Sequence, residues 1–494
     1  MLYVSTKSAQ LTLLLAFNAM ITATTVTAAE GEVQRLIGAL LGDTPQTEDL
    51  RYLADVIGGR TTGSEANLRA VEWALRRFKD ADVSARKEAF TMPKQWIERS
   101  TTVDIMGDGI RFSPHAAAKQ FAPVTGSDGI RAPLVHVGMG TADDFRAAGD
   151  AIKGAWILVD TAQVVDLNGL FGEYGQAIIV EPLAVRYGVQ GIIYQSPRAE
   201  GILHRLVLFS GIDLPVLFVE RQDANRILRL MDSGQSLEAR VTIDAYTADA
   251  FESYNVVGEI EGGELKDEIV LIGAHLDSHA LGTGAIDDGG NATVLIDIAR
   301  QMKRLGIRPR RTIRFVMWNG EEQGFFGSWG YTQRHAGELD QHVMVASIDV
   351  GEGPINGFFT NGRGSELAPM LDRVLVPVAG LGPFVNPDIA LVGTDNYDFL
   401  LNGVANLIGS QDSAELGPHY HAETDTLDKI DPLVMKRNAA VLAALVYGFA
   451  NEDLHFPRQS AEEVRALVEA TQLVQAMKMF GVYDAWASGE RAWR

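Results

Sequence analysis

Two periodicities alternate along this chain. The run Glu268-Ile-Val-Leu-Ile-Gly273 is continuous and apolar, with the β-branched content of a buried strand. Arg311–Trp318 and Val343–Ile348 read the same way. Between them, Gly289–Leu305 places Leu295, Ile298, Ala299, Met302 and Leu305 on one helical face, and upstream Leu68, Val71, Leu75 and Phe78 recur at helical spacing behind Ser64, a good N-cap. Glu32–Ile57 holds two short helical patterns, and a strand is expected around Arg86–Thr91. Strands alternating with helices predict an α/β fold with a doubly wound mixed sheet.

From about Phe121 to Thr247 the texture changes to short apolar runs between Gly-rich turns: Pro133–Val137, Ala155–Val159, Gly191–Tyr194 and Leu214–Val219, then a helix over Gln222–Met231. This predicts a β-rich domain inserted at 121–248 into a catalytic domain made of 30–120 and 249–454. Its two histidines, His136 and His204, are isolated and read as structural. Residues 455–494 read as a helical extension, with a Ser460-x-x-Glu463 capping box and Val464, Leu467, Val468, Val474 and Met477 facing the body.

Residues 1–29 carry one charge, Lys7, an apolar run from Leu11 to Val26, and a small-residue end at Ala28-Ala29. That is the pattern of a signal peptide cleaved after Ala28 or Ala29, and it predicts an exported, periplasmic or secreted protein. With no other long apolar run read in the chain, no stable membrane insertion is expected after cleavage. The 43 basic and 64 acidic residues give a net charge of −21, which argues against nucleic acid and anionic membrane surfaces as partners. The chain has no cysteine, so any metal must be held by His, Asp and Glu.

Candidate chemistry gathers where the strands end. His275 and Asp277 follow the first strand, and on extended backbone both point to one side, so the carboxylate can steady the imidazole of a metal ligand. Asp287 comes twelve residues after His275, in a Gly-rich turn. Glu321-Glu322 follows the strand ending at Trp318; adjacent carboxylates there are either a solvated acidic turn or a pair that needs a cation. Asp349 follows the next strand, and His421 lies in Pro418-His-Tyr-His421-Ala-Glu-Thr-Asp425-Thr. His275, Asp287, Glu322, Asp349 and His421 together suit a pair of zinc ions sharing a carboxylate.

The ordered set H-x-D with G-A-x-D-D-G, then E-E-x-G, I-D-V-G and H-x-x-x-D-T resembles the M28 family of zinc exopeptidases, and is most similar to its carboxypeptidase Q branch, which hydrolyses dipeptides. The runs Ile152–Asp160, Val189–Tyr194 and Leu214–Val219 resemble the protease-associated domain inserted in several exopeptidases. The resemblance implies two Zn²⁺ per chain: Asp287 bridging, His275 and Asp349 completing one position, Glu322 and His421 the other. It implies Glu321 as general base, Asp277 as the partner of His275, Tyr420 as a donor to the oxyanion, and a cis peptide at Asp287–Asp288. It further implies a peptide substrate with a free N-terminus, and related enzymes can form homodimers. Carboxypeptidase or other amide hydrolysis remains open, as do a single-zinc acyltransferase and a binding protein on the same fold. His279 and His419 are additional imidazoles beside the motifs; His421 is preferred to His419 because it alone has Asp four and Thr five residues on. Asp395 reads equally as a pocket residue or a structural loop residue.

Overall fold

The computed structural model describes residues 31–491 except 207–210, 350 and 412–415. The leader expected over residues 1–29 lies outside the described residues.

The first sheet has seven strands: β1 (Ser84–Met92), β2 (Phe251–Ile260), β3 (Leu265–His275), β4 (Arg311–Trp318), β5 (His342–Ser347), β6 (Ile355–Phe359) and β7 (Asn406–Gln411). Their spatial order is β1-β2-β4-β3-β5-β7-β6. The pairs β4–β3, β3–β5 and β5–β7 are parallel, and the flanking pairs are antiparallel. β4 is buried at every position, which is why its sequence shows no polar alternation. The mixed α/β expectation therefore holds, with parallel strands at the centre, where both faces are covered.

Helix Gly290–Arg304 packs between β3 and helix Pro432–Asn451. It buries the predicted Leu295, Ile298, Ala299 and Met302, and also Val294 and Ile296, because neighbours cover it on more than one side. Pro432–Asn451 is, among the described residues, the one helix long and apolar enough to cross a membrane, a run that the sequence reading passed over. Most of it is buried inside the fold, where Val441, Leu442, Leu445 and Phe449 join the main core. Helix Glu65–Asp80 is capped as expected, Ser64 accepting a hydrogen bond from the Asn67 amide. Its buried face is Asn67, Ala70, Val71, Trp73, Ala74 and Phe78; Leu68, expected inward, is 46% exposed.

The second sheet has eight strands and starts earlier than residue 121. Strand Gln95–Gly107 pairs antiparallel with Glu238–Ala248, from Gln95 opposite Ala248 to Met106 opposite Glu238. Its Trp96, Val103 and Ile105 belong to a separate core with Trp156, Leu217 and Val241. The apolar face of this strand is turned to the second core, so residues from Gln95 onward pack with the second sheet. The insertion also holds a helix of 21 residues, Leu167–Tyr187, that the sequence reading did not anticipate. Leu170, Tyr174, Val180 and Ala184 are buried while Phe171, Ile178, Ile179 and Val185 are exposed. Apolar residues on both sides, with Pro182 inside, erase the helical period.

Among its described residues the C-terminal segment forms three helices, Ala461–Ala470, Leu473–Met479 and Tyr483–Ala487, the first two broken at Thr471-Gln472. The capping box at Ser460 and Glu463 is present. Val464, Val468, Leu473 and Met477 pack on Phe325, Tyr397 and Leu401. A buried ion pair between Arg491 and Asp398, at 2.8 Å, fastens the end of this segment.

Candidate metal centre

Three parallel strands deliver side chains to one rim, because the carboxyl ends of parallel strands point the same way. β3 ends in His275; β4 ends in Trp318, followed by the Asn319–Glu322 turn; and Asp349 stands two residues beyond β5. His421 arrives from the loop after β7 with a positive φ of 54°. All five expected ligands come together; His275, Asp287, Glu322 and His421 are buried, and Asp349 is part-buried with its side chain 6% exposed.

Asp287 lies at the middle of the arrangement. Its Oδ1 is 2.9 Å from His275 Nε2, which is 3.3 Å from Asp349 Oδ1. Its Oδ2 is 3.4 Å from His421 Nε2, which is 3.1 Å from Glu322 Oε2. Two groups result, His275–Asp287–Asp349 and His279–Glu322–His421, each with its donor atoms within 4.8 Å of one another. Buried atoms of these side chains, Asp287 Oδ2, Glu322 Oε1 and Asp349 Oδ1, accept no hydrogen bond. Unbonded buried carboxylate oxygens facing imidazole nitrogens are what a divalent cation would satisfy, so the residues fit a pair of metal ions.

Neighbouring Asp288 does a different job: it accepts hydrogen bonds from the His275 amide at 3.1 Å and from Asn291 at 2.7 Å. The peptide between Asp287 and Asp288 is cis, as the resemblance implied. His275 Nδ1 is 3.0 Å from the backbone carbonyl of Asp277 and 3.7 Å from its carboxylate. The nearer partner is thus the carbonyl rather than the side chain. The Asp277 carboxylate instead accepts from Thr62 Oγ1 at 2.8 Å, and Thr62 accepts from the amide of Gly320 at 2.9 Å. One hydroxyl so connects the β3 loop to the turn that bears Glu321.

The electrostatics follow from crowding. Burial, then the charge of Asp349, push the Glu321 carboxyl well above the ordinary range, and His275 opposes them. Burial also raises Glu322, but the imidazoles of His279 and His421 outweigh it and hold that carboxyl well below its ordinary value. Burial lowers His421, yet Glu322 and Asp287 prevail and raise it to about 9. Burial drives Asp395 well above its ordinary value too; both of its oxygens are unbonded, and it senses the charges of His275 and Asp349.

Sequence reasoning missed the residues that shape the loops. Arg60, fully buried, donates to the carbonyls of Leu276 (2.6 Å), Thr283 (2.7 Å) and Gly284 (2.8 Å), pinning both ends of the segment between His275 and Asp287. In the sequence it stands in Gly58-Gly59-Arg60-Thr-Thr-Gly63-Ser64, a Gly-rich stretch that signals only a turn ending the helical pattern before it. The chain passes Gly59 so closely that a Cβ there would lie 2.7 Å from Ala280 Cα. Asp425, used only to choose His421, accepts from the amides of Ile286 (2.7 Å) and Asp287 (3.3 Å). His279 enters the site, whereas His419 bonds Thr424 Oγ1 at 2.8 Å.

The loop bearing His421 is also held by the second domain. Arg198 donates to the Tyr420 carbonyl at 3.1 and 3.3 Å, and the Arg205 amide donates to the His421 carbonyl at 2.9 Å. Leu203 exchanges bonds with Glu423. Behind this strip, Glu173 joins Arg198 at 3.0 Å and His204 at 2.6 Å, a buried cluster formed by residues that looked isolated in sequence. The Tyr420 ring stacks on His421, with centroids 3.6 Å apart, and its hydroxyl lies 3.5 Å from that of Tyr174. Nearby, a cleft of 410 Å³ is lined by residues of both domains, including Met92, Gln120, Phe121 and Gln323.

Residues 255–446 match the profile described as Peptidase family M28. Carboxypeptidase Q of Mus musculus is 31% identical over 247 residues, 50% of this chain and 52% of that protein, so the aligned part spans about half of it. The Bos taurus protein of the same name is 27% identical over 431 residues, 83% of this chain and 86% of the other. Among solved structures, a peptidase M28 precursor from Shewanella amazonensis superposes with a TM-score of 0.78 at 26% identity, covering 88% of this chain and 99% of that one. A zinc aminopeptidase from Bacillus subtilis shares the fold, with a TM-score of 0.64 at 19% identity and coverage of 83% and 95%.

Proposed function

The chain belongs to peptidase family M28, close to carboxypeptidase Q within it, and from this premise we propose that it is a di-zinc exopeptidase cleaving dipeptides or short peptides with a free N-terminus. The observation that carries the reading is the division of buried ligand-type residues about the two oxygens of Asp287, with Glu321 adjoining in sequence. His275, Asp287 and Asp349 would hold one ion, and Asp287, Glu322 and His421 the other. The absence of cysteine and the mixture of imidazole and carboxylate donors suit zinc. Zinc held there would acidify a water and polarise the scissile carbonyl.

The remaining work belongs to the chain. Glu321 takes a proton as the carbonyl is attacked and hands it to the departing amine; its burial among other carboxylates favours proton uptake. Tyr420, whose hydroxyl burial holds well above its ordinary pKa, stays protonated and donates to the developing oxyanion. The surplus of carboxylates, Glu321, Asp349 and Asp395, favours a substrate that brings a free ammonium group. The cleft lined by both domains suits a short ligand, with the second domain, protease-associated in type, forming one wall. The charge-poor apolar stretch over residues 11–26 supports export.

The test is hydrolysis of unblocked dipeptides, longer peptides and their N-acetylated counterparts, before and after chelation and zinc restoration. Zinc-dependent cleavage of dipeptides alone is the expected result. Stepwise trimming of longer free-amine peptides would make the enzyme an aminopeptidase, and cleavage of the acetylated set a carboxypeptidase. No hydrolysis by protein holding two zinc ions would remove the peptidase assignment.

A further inference from the structure

The resemblance assigns no role to His279, yet it stands inside the site. We propose that His279 is a fourth protein ligand of the metal position formed by Asp287, Glu322 and His421, so that the two positions are unequal. The inference rests on the reading of this site as a metal centre. Its Nε2 lies 3.0 Å from Glu322 Oε2, the same oxygen that His421 Nε2 approaches to 3.1 Å. The two rings are 4.0 Å apart and tilted by 42°, and both Nε2 atoms approach the same Glu322 oxygen. His279 is buried, and its Nε2 makes no hydrogen bond despite the short separation. An imidazole nitrogen buried without a partner is costly unless something else accepts its lone pair. A divalent cation between His279, Glu322 and His421 does so, and these donors already lie within 4.8 Å of one another.

The consequence is a division of labour. A zinc position with four protein ligands is closed, whereas one with three retains an open place for reactants. Asp287, Glu322, His421 and His279 make the first kind. His275, Asp287 and Asp349 make the second.

The experiment loads the purified protein with two cobalt(II) ions per chain, verified by metal analysis, and counts the exchangeable imidazole protons shifted by the paramagnetic ions in the proton NMR spectrum. Three are expected, from His275, His279 and His421. His279→Phe should lack one of them and hold its second ion at least about tenfold more weakly in chelator competition. His279→Gln, which can still hydrogen-bond Glu322, should not restore that affinity. Two shifted protons in the unaltered protein, or full rescue by His279→Gln, would overturn the ligand role while leaving the metal centre intact. Failure to bind cobalt at all would overturn the metal-centre reading and this inference together.

Discussion

The molecule buries two clusters built from the same kinds of side chain, one around Asp287 and one around Glu173. In the second, Glu173 faces Arg198 and His204, and His204 Nδ1 lies 3.3 Å from Ser196 Oγ. Although burial opposes it, the charges of Arg198 and His204 lower the Glu173 carboxyl to about 2. Burial lowers His204 to about 4. Near neutral pH this cluster carries one negative and one positive charge and is complete. The first gathers Asp277, Asp287, Asp288, Glu321, Glu322, Asp349, Asp395 and Asp425 around His275, His279, His421 and Arg60. It has more acid than its own cations can answer. The difference teaches that histidine beside carboxylate is no metal-site signature by itself; what sets the first cluster apart is the excess of buried carboxylates over its own cations.

The sharpest way to break the comparison is to remove the shared carboxylate. Asp287→Ala should abolish turnover and strip both ions, as read by metal analysis; a variant that retains two ions would end the bridging assignment. Next, Glu321→Gln should keep both ions while kcat falls by about 10²–10⁴-fold, the usual contribution of a general base. Near-normal kcat would take Glu321 out of that role.

In the complete cluster, Glu173→Gln should leave both ions bound but cost about 3–5 kcal/mol in urea unfolding, since it strands a buried guanidinium. The sign with pH follows from the lowered carboxyl. Its contribution is fully present above the unfolded value of about 4.3 and is lost as pH falls through about 2. The unaltered protein should therefore lose stability across that interval more steeply than the variant; parallel curves would show that the Glu173 charge is not stabilising. Ion by ion, the smallest effect is metal removal read as stability. Chelation should forfeit about 2.7 kcal/mol per ion when the free metal stood at a hundred times its dissociation constant. The Glu173 variant should forfeit the same amount as the unaltered protein if the clusters are independent.

Sequence carried the first cluster well because its members follow apolar strands at fixed short distances. His275, Glu322 and Asp349 are positioned by β3, β4 and β5; β4 is buried throughout and β3 and β5 along most of their length, which leaves an unmistakable apolar run. The second cluster was illegible. Glu173 sits on a helix whose exposed Phe171 and Ile178 conceal its period, and Arg198 and His204 meet it only through the fold of the second domain. The same limit hid Arg60, which reads as a turn residue until its three carbonyl partners are in place. At Leu68, spacing suggested a face that Trp73 and Ala74 occupy instead.

The strip Leu203–Arg205, laid alongside His421 and Glu423, ties the body of the second sheet to the loop that carries His421. Coupling between sites is reciprocal. Separating the two sheets should therefore disturb the seat of His421, and a ligand that orders this loop should stiffen the joint in return.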